Sequence, residues 1–182
     1  MTPIYQSKAF LIRKYRFSET SFILLWLTQK HGKVRTVAQG ALKREGIFSG
    51  KWDLFLETEI FFLLNKKSDL HSLKEVLPLQ REQTLKPGYL TLLTASYFAQ
   101  LCDLFIEPLE PVPELFDLLA RALGFLSKHH PTSLAVEHFE KELAKVLGIY
   151  DASSSRVDWF HRTGTLLPPS RKKLLEQLSL HH

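Results

Sequence analysis

The sequence predicts an α+β chain with β first and α second: a five-stranded antiparallel barrel, then a helical domain. Three observations carry this. Residues 8–77 contain five short runs rich in β-branched and aromatic residues, each closed by turn-forming residues. From residue 89 onward the apolar residues recur every three or four positions, the period of a helix face. The charge is also unevenly spread. Residues 1–78 hold 13 Lys+Arg against 7 Asp+Glu, and residues 79–182 hold 11 against 12.

The first strand is read over residues 8–17, and Ser18-Glu19 turns it. Residues 20–28 form the second, with an apolar run suited to cover on both faces. His31-Gly32 is a tight turn, because glycine takes a positive φ without a steric penalty. The basic strand 33–39 follows. Lys33 and Arg35 share one of its faces by parity, and Val34 and Ala38 share the other. Residues 40–50 form a loop with three glycines and the adjacent cations Lys43 and Arg44. A long strand is read over 52–65, where Leu54, Leu56, Thr58, Ile60 and Phe62 keep period two, and a fifth over 70–77. Five short strands that close on themselves point to an OB-fold, a barrel that often binds oligonucleotides across strands 2 and 3. The fold alone assigns no function.

Pro78 marks the boundary between a barrel domain, 1–78, and a helical domain, 79–182. The first helix is read over 89–105, with Leu90, Leu93, Tyr97, Leu101 and Leu104 on its buried face. The segment 107–113, with three prolines, is a rigid connector. Helices follow over 114–128 and 134–147, the latter stopped by Gly148, and a short one over 170–180.

Composition narrows the class. Hydrophobic residues make up 45% and charged residues 24%, which argues against bulk disorder. The single cysteine, Cys102, lies in an apolar run and reads as core; it forms neither an internal disulfide nor a thiolate metal site. No signal peptide is visible, and the apolar runs are too short to span a bilayer. A cytoplasmic protein without membrane contact is expected.

Catalytic signatures are missing. The sequence has no phosphate loop, no dinucleotide glycine pattern and no His-Glu-x-x-His. His129 and His130 are adjacent, so on a helix they diverge by about 100° and suit a solvated helix end. His138 and Glu142 read as a helical surface pair, and His181-His182 are set aside. No enzyme activity, metal or other cofactor is expected.

The basic set says more. Arg13, Lys14, Arg16, Lys30, Lys33, Arg35, Lys43, Arg44 and Lys51 are interleaved with Tyr15, Phe17, Trp26 and Trp52. Cations neutralise phosphates and aromatic faces stack on bases. Each aromatic has a second reading, as barrel core. Lys33 and Arg35 are taken as the centre of a nucleic-acid face, with Arg13, Lys14, Arg16, Lys43, Arg44 and Lys51 around them.

Residues 10–41 carry a resemblance: a strand, a Ser-Glu turn, an apolar strand ending in Thr28, then His31-Gly32, a basic strand and Ala38-Gln-Gly-Ala41. This resembles the N-terminal pattern of the bacterial recombination mediator and DNA repair family RecO. Ser49, Leu54 and Phe55 stand roughly where that family has a Ser and a Leu/Phe pair. The resemblance is specific over 8–76 and rests on helical character alone over 88–150. It implies an OB-fold and a helical domain, binding of single- and double-stranded DNA, strand annealing, and a nucleoid-associated place in the cytoplasm. It further implies work beside the partner RecR, contact with single-stranded DNA-binding protein, and help in loading the RecA recombinase. The tail of single-stranded DNA-binding protein is acidic with an apolar end. Arg121, Leu118 and Phe125, on one helix face, would offer it a cation and an apolar surface. Many members carry a four-cysteine zinc motif in the second domain; residues 148–168 contain no cysteine, so zinc is not expected. The chain is also shorter than is usual for the family. Two other readings stay open: an OB-fold RNA-binding module, and an adaptor whose basic face docks acidic tails.

Overall fold

A computed structural model describes residues 3–41, 53–79 and 84–180. Its strands are β1 (Ile4–Arg16), β2 (Phe22–Thr28), β3 (Gly32–Ala38), β4 (Glu57–Leu63) and β5 (Leu70–Pro78). They close a barrel in the order β1-β2-β3-β5-β4. All neighbours are antiparallel except β3 and β5, which run parallel. This is the five-stranded OB-fold barrel that the strand count predicts.

Parity fills the barrel. In β3 burial alternates strictly, with Val34, Thr36 and Ala38 inside and Lys33, Arg35 and Val37 half-exposed. Trp26 is fully buried among Leu11, Leu24, Val34 and Ile60, and its indole N–H donates to Thr36 Oγ1 at 2.8 Å. Trp26 is therefore core. Stripping it to alanine would cost about 3–5 kcal/mol. Trp52 lies outside the described residues, as do Lys43, Arg44 and Lys51.

Two strands differ from the sequence reading. β1 starts four residues earlier than expected, where Ile4, Tyr5, Gln6 and Ser7 pair with Leu63, Phe62, Phe61 and Ile60. β4 starts only at Glu57, because Leu54 and Phe55 form a turn in which Phe55 takes a φ of 65°. Period two alone does not reveal that the residues preceding the strand leave the extended conformation.

The helices are α1 (Tyr89–Phe105), α2 (Pro113–Lys128), α3 (Ser133–Val146), α4 (Arg156–His161) and α5 (Ser170–Ser179). The chain divides into two compact units: residues 1–84 with 105–116, and 85–104 with 117–182. The sequence boundary at Pro78 misses this return of 105–116 to the barrel unit. The return is held by Leu109, whose N–H donates to the carbonyl of Lys33 at 3.0 Å, and by Phe116, whose ring lies 5.1 Å from that of Phe10.

In the second unit, α1 buries Thr91, Thr94, Ala95, Tyr97, Phe98, Ala99, Leu101 and Cys102, while Leu104 is exposed. Of the predicted face, Tyr97 and Leu101 are buried and Leu104 is not; small residues and Phe98 complete the buried face. Small side chains let a neighbouring helix approach, and the Phe98 ring stacks on that of Phe139 of α3 at 4.1 Å. Burial pushes the Cys102 thiol well up. The sequence reading passes over α4. Its start is a reciprocal Ser155–Asp158 capping box, and Trp159 and Phe160 are buried.

Candidate nucleic-acid interface

The outer face of β1-β2-β3 is built by register. A β-bulge between Leu11 and Arg13 leaves Ile12 without a partner and reverses the parity of β1. Before it, Ala9 and Leu11 point inward. After it, Arg13 faces outward opposite Leu25, and Leu25 pairs in turn with Arg35. Arg13, Leu25 and Arg35 thus form one transverse row, with the arginine backbones about 10 Å apart. Tyr15, Ile23 and Val37 form the next row, about 7 Å further along the strands. On the other side lies the row Phe10, Leu27 and Lys33.

The bulge separates the cations predicted to act together. Lys14 pairs with Leu24, and Arg16 with Phe22, so both belong to the inner-face rows, though they are exposed where β1 reaches its end. Lys14 stands 4.0 Å from Asp53.

Each remaining cation has company. The guanidinium of Arg13 donates to the phenol oxygen of Tyr15 at 3.0 Å. Arg35 pairs with Asp69, just before β5, an ion pair whose side chains are 42% and 56% exposed. Such a pair is worth under about 1 kcal/mol, so a phosphate can displace it cheaply. Lys33 sits where the returning connector crosses: Pro108 bridges to Gly32 and Lys33, and Glu107 and Glu110 flank that crossing. The Phe10–Leu27–Lys33 end is thus partly covered, and the Arg13 and Tyr15 rows form the more open part. Nothing in the sequence marks the bulge. The acidic, proline-rich connector is visible there, but its docking on β3 is not.

The end of the barrel beside the β2–β3 turn carries an aromatic cluster. The Phe62 ring lies 5.8 Å from that of Tyr5, 5.7 Å from His31 and 6.1 Å from His71. Burial lowers both imidazole pKa values; Lys30 adds to this at His31, while the Gln6 backbone opposes it there and Asp69 opposes it at His71. The Nδ1 of His71 accepts the Asn65 N–H at 3.1 Å, anchoring the start of the turn that ends in Asp69.

Separately, the second unit holds a cavity of about 410 Å³ whose lining includes Phe98, Leu118, Arg121, Phe125, Leu134 and Phe139. The three residues singled out on α2 therefore meet at one hollow. Leu118 is buried beneath it, Phe125 is 39% exposed and Leu134 is 75% exposed. Glu142 also lines the cavity. Its carboxyl is held below the usual range first by a hydrogen bond from Lys145, with His138 and Arg121 contributing.

Among the described residues no group of His, Cys, Asp or Glu is arranged to hold a metal ion, and no helix is long and apolar enough to cross a membrane.

Two family models match the chain: "Recombination protein O N terminal" over residues 1–81 and "Recombination protein O C terminal" over 88–158. The chain belongs to the RecO family of DNA repair proteins. Similar members include the DNA repair protein RecO of Rhodopirellula baltica, 30% identical over 141 residues, which are 77% of this chain and 52% of that protein. Those of Bacillus pumilus and Bacillus subtilis are each 26% identical, covering 80% and 85% of this chain and 56% and 60% of theirs. The chain thus spans little more than half the length of these relatives. The first match covers the whole barrel, and the second ends inside α4.

Proposed function

We propose that this chain is a non-enzymatic DNA-binding mediator of recombinational repair, which engages single- and double-stranded DNA through the outer face of β1-β2-β3. The observation that carries the reading is the row Arg13–Leu25–Arg35, two outward cations at one level of a closed barrel. Lys33 extends it along β3, and Lys43, Arg44 and Lys51 are proposed as further DNA contacts on their sequence alone. Annealing and recombinase loading fit such a face, because holding strands by their phosphates leaves the bases available for pairing. RecR and RecA enter as partners through family membership alone.

The cavity of the second unit suits the acidic, apolar-ended tail of single-stranded DNA-binding protein: Arg121 supplies the cation, and Phe125, Leu134 and Phe139 the apolar wall. Arg121→Glu or Leu134→Asp in the full chain should weaken binding of a tail peptide at least tenfold and leave DNA affinity unchanged.

The DNA-binding face is tested by paired substitution. Arg13→Ala with Arg35→Ala should lower single-strand and duplex affinity together and make the salt dependence shallower by about 1.5 units of slope. Alanine is used because a carboxylate at 35 would also repel Asp69. A control pair, Lys141→Ala with Lys145→Ala on α3, should do less. Equal losses from both pairs would indicate diffuse attraction and overturn the assignment.

A further inference from the structure

We propose that Tyr15, Ile23 and Val37, with Phe17 at the turn beyond, form a stacking platform for unpaired bases that makes this face selective for single strands. The inference rests on the DNA-binding reading above and adds what the cations cannot supply, since phosphates are common to single strands and duplexes. The row lies on the solvent side of the barrel, next to Arg13 and Arg35. Tyr15 is 44% exposed and Phe17 is 58% exposed, while Ile23 and Val37 are half-buried between the strands.

Three features distinguish this patch from ordinary surface apolar residues. It adjoins the cationic row directly, about 7 Å along the strands, so phosphates can follow one row while bases reach the other. The Arg13 guanidinium donates to the Tyr15 hydroxyl, which ties the phenol ring to the neighbouring cation. The opposite end of the same outer face has a cover of its own, where Phe116 packs on Phe10. The barrel unit thus closes one end of this face and leaves its aromatic end exposed. A duplex presents base edges and phosphates, with its base faces already stacked on one another; it would meet only the cations. A single strand offers free base faces, and each base stacked on an aromatic ring is worth enough to change affinity several-fold.

The test uses the full chain and three oligonucleotides of equal length: a single strand, the matching duplex, and an abasic single strand with the same phosphates. The wild type should bind the abasic strand at least tenfold more weakly than the normal strand, with the same salt slope. Tyr15→Leu with Phe17→Leu should weaken single-strand binding at least tenfold, leave duplex binding within twofold, and no longer distinguish the abasic strand. Tyr15→Phe, which keeps the ring, should stay within threefold of wild type. Unchanged melting temperatures would confirm that the variants fold. Equal wild-type affinity for normal and abasic strands would overturn the platform, as would parallel losses on single strand and duplex in the double variant, while leaving the cationic face standing. Failure of the wild type to bind any of the three would remove the DNA-binding reading and the platform with it.

Discussion

Gly32 answers two demands at once. Its φ of 61° is the left-handed conformation that the β2–β3 turn requires, and the sequence shows that much. The structure adds that a Cβ there would lie 1.9 Å from the carbonyl oxygen of Glu110, a backbone atom that cannot swing aside. Gly32→Ala should therefore cost about 2–4 kcal/mol in chemical denaturation. Gly32→Asn, which tolerates the φ but still carries a Cβ, should do no better. Gly148, with a φ of 69° and nothing within 4 Å of its Cβ position, is the comparison, and Gly148→Asn should cost under about 1 kcal/mol. If Asn were well tolerated at 32, the packing of the connector on the turn would not matter.

A second residue-scale expectation concerns His31 and His71. Both folded pKa values lie below the ordinary 6.5. The unfolded chain therefore binds more protons than the folded one near and below that pH, and stability rises with pH across the window. Their contribution is fully present above about pH 6.5 and is lost as the pH falls toward the folded values. Denaturation midpoints measured from pH 5 to 8 should fall on the acid side, and the fall should be shallower in His71→Asn. An unchanged slope in that variant would assign the acid sensitivity elsewhere.

At the scale of elements, the second unit is fastened by a carboxylate. Glu140 of α3 is fully buried; it accepts the Tyr97 hydroxyl of α1 at 2.6 Å and two Arg171 N–H groups of α5 at 2.7 and 3.0 Å. Burial, then the neighbouring carboxylate, raises the pKa of Tyr97, so its hydroxyl keeps the proton it donates. The charge of Glu140 is matched by a guanidinium that is itself largely covered. Glu140→Gln should cost about 3 kcal/mol by leaving Arg171 without its counter-charge, and joint replacement of the pair by Met and Leu should cost less. A double-mutant cycle in urea would read the coupling, and additive losses would mean that the pair is incidental.

This network also shows where sequence reading reaches its limit. The periodicity of α3 is plain from Phe139, Leu143 and Val146, yet Glu140 on its flank reads as solvated, because what buries it comes from residues 43 and 31 positions away. The same holds for the barrel. Alternation in β3 told inward from outward correctly for Lys33, Val34, Arg35 and Ala38, since it depends only on local geometry. The facing of Arg13, Lys14 and Arg16 could not be read, because a single unpaired residue at Ile12 reverses it. The Arg35–Asp69 pair was hidden for a related reason: it depends on the parallel pairing of β3 with β5, a tertiary outcome of barrel closure.

At the scale of the whole molecule, the basic excess of residues 1–78 is proposed to meet nucleic acid, and the apolar hollow of the second unit a protein tail. If these roles are separate, substitutions at Arg121 and at Arg13 with Arg35 should have additive effects when DNA and tail peptide are offered together. The central claim is that the barrel holds DNA by phosphate neutralisation at a defined face, and the most direct measurement is a salt titration of single-strand affinity. With about five phosphates engaged, log K should fall against log salt with a slope of about −3.5, and Arg13→Ala with Arg35→Ala should bring it to about −2. A slope near zero in the wild type, or one that the double substitution leaves unchanged, would contradict it.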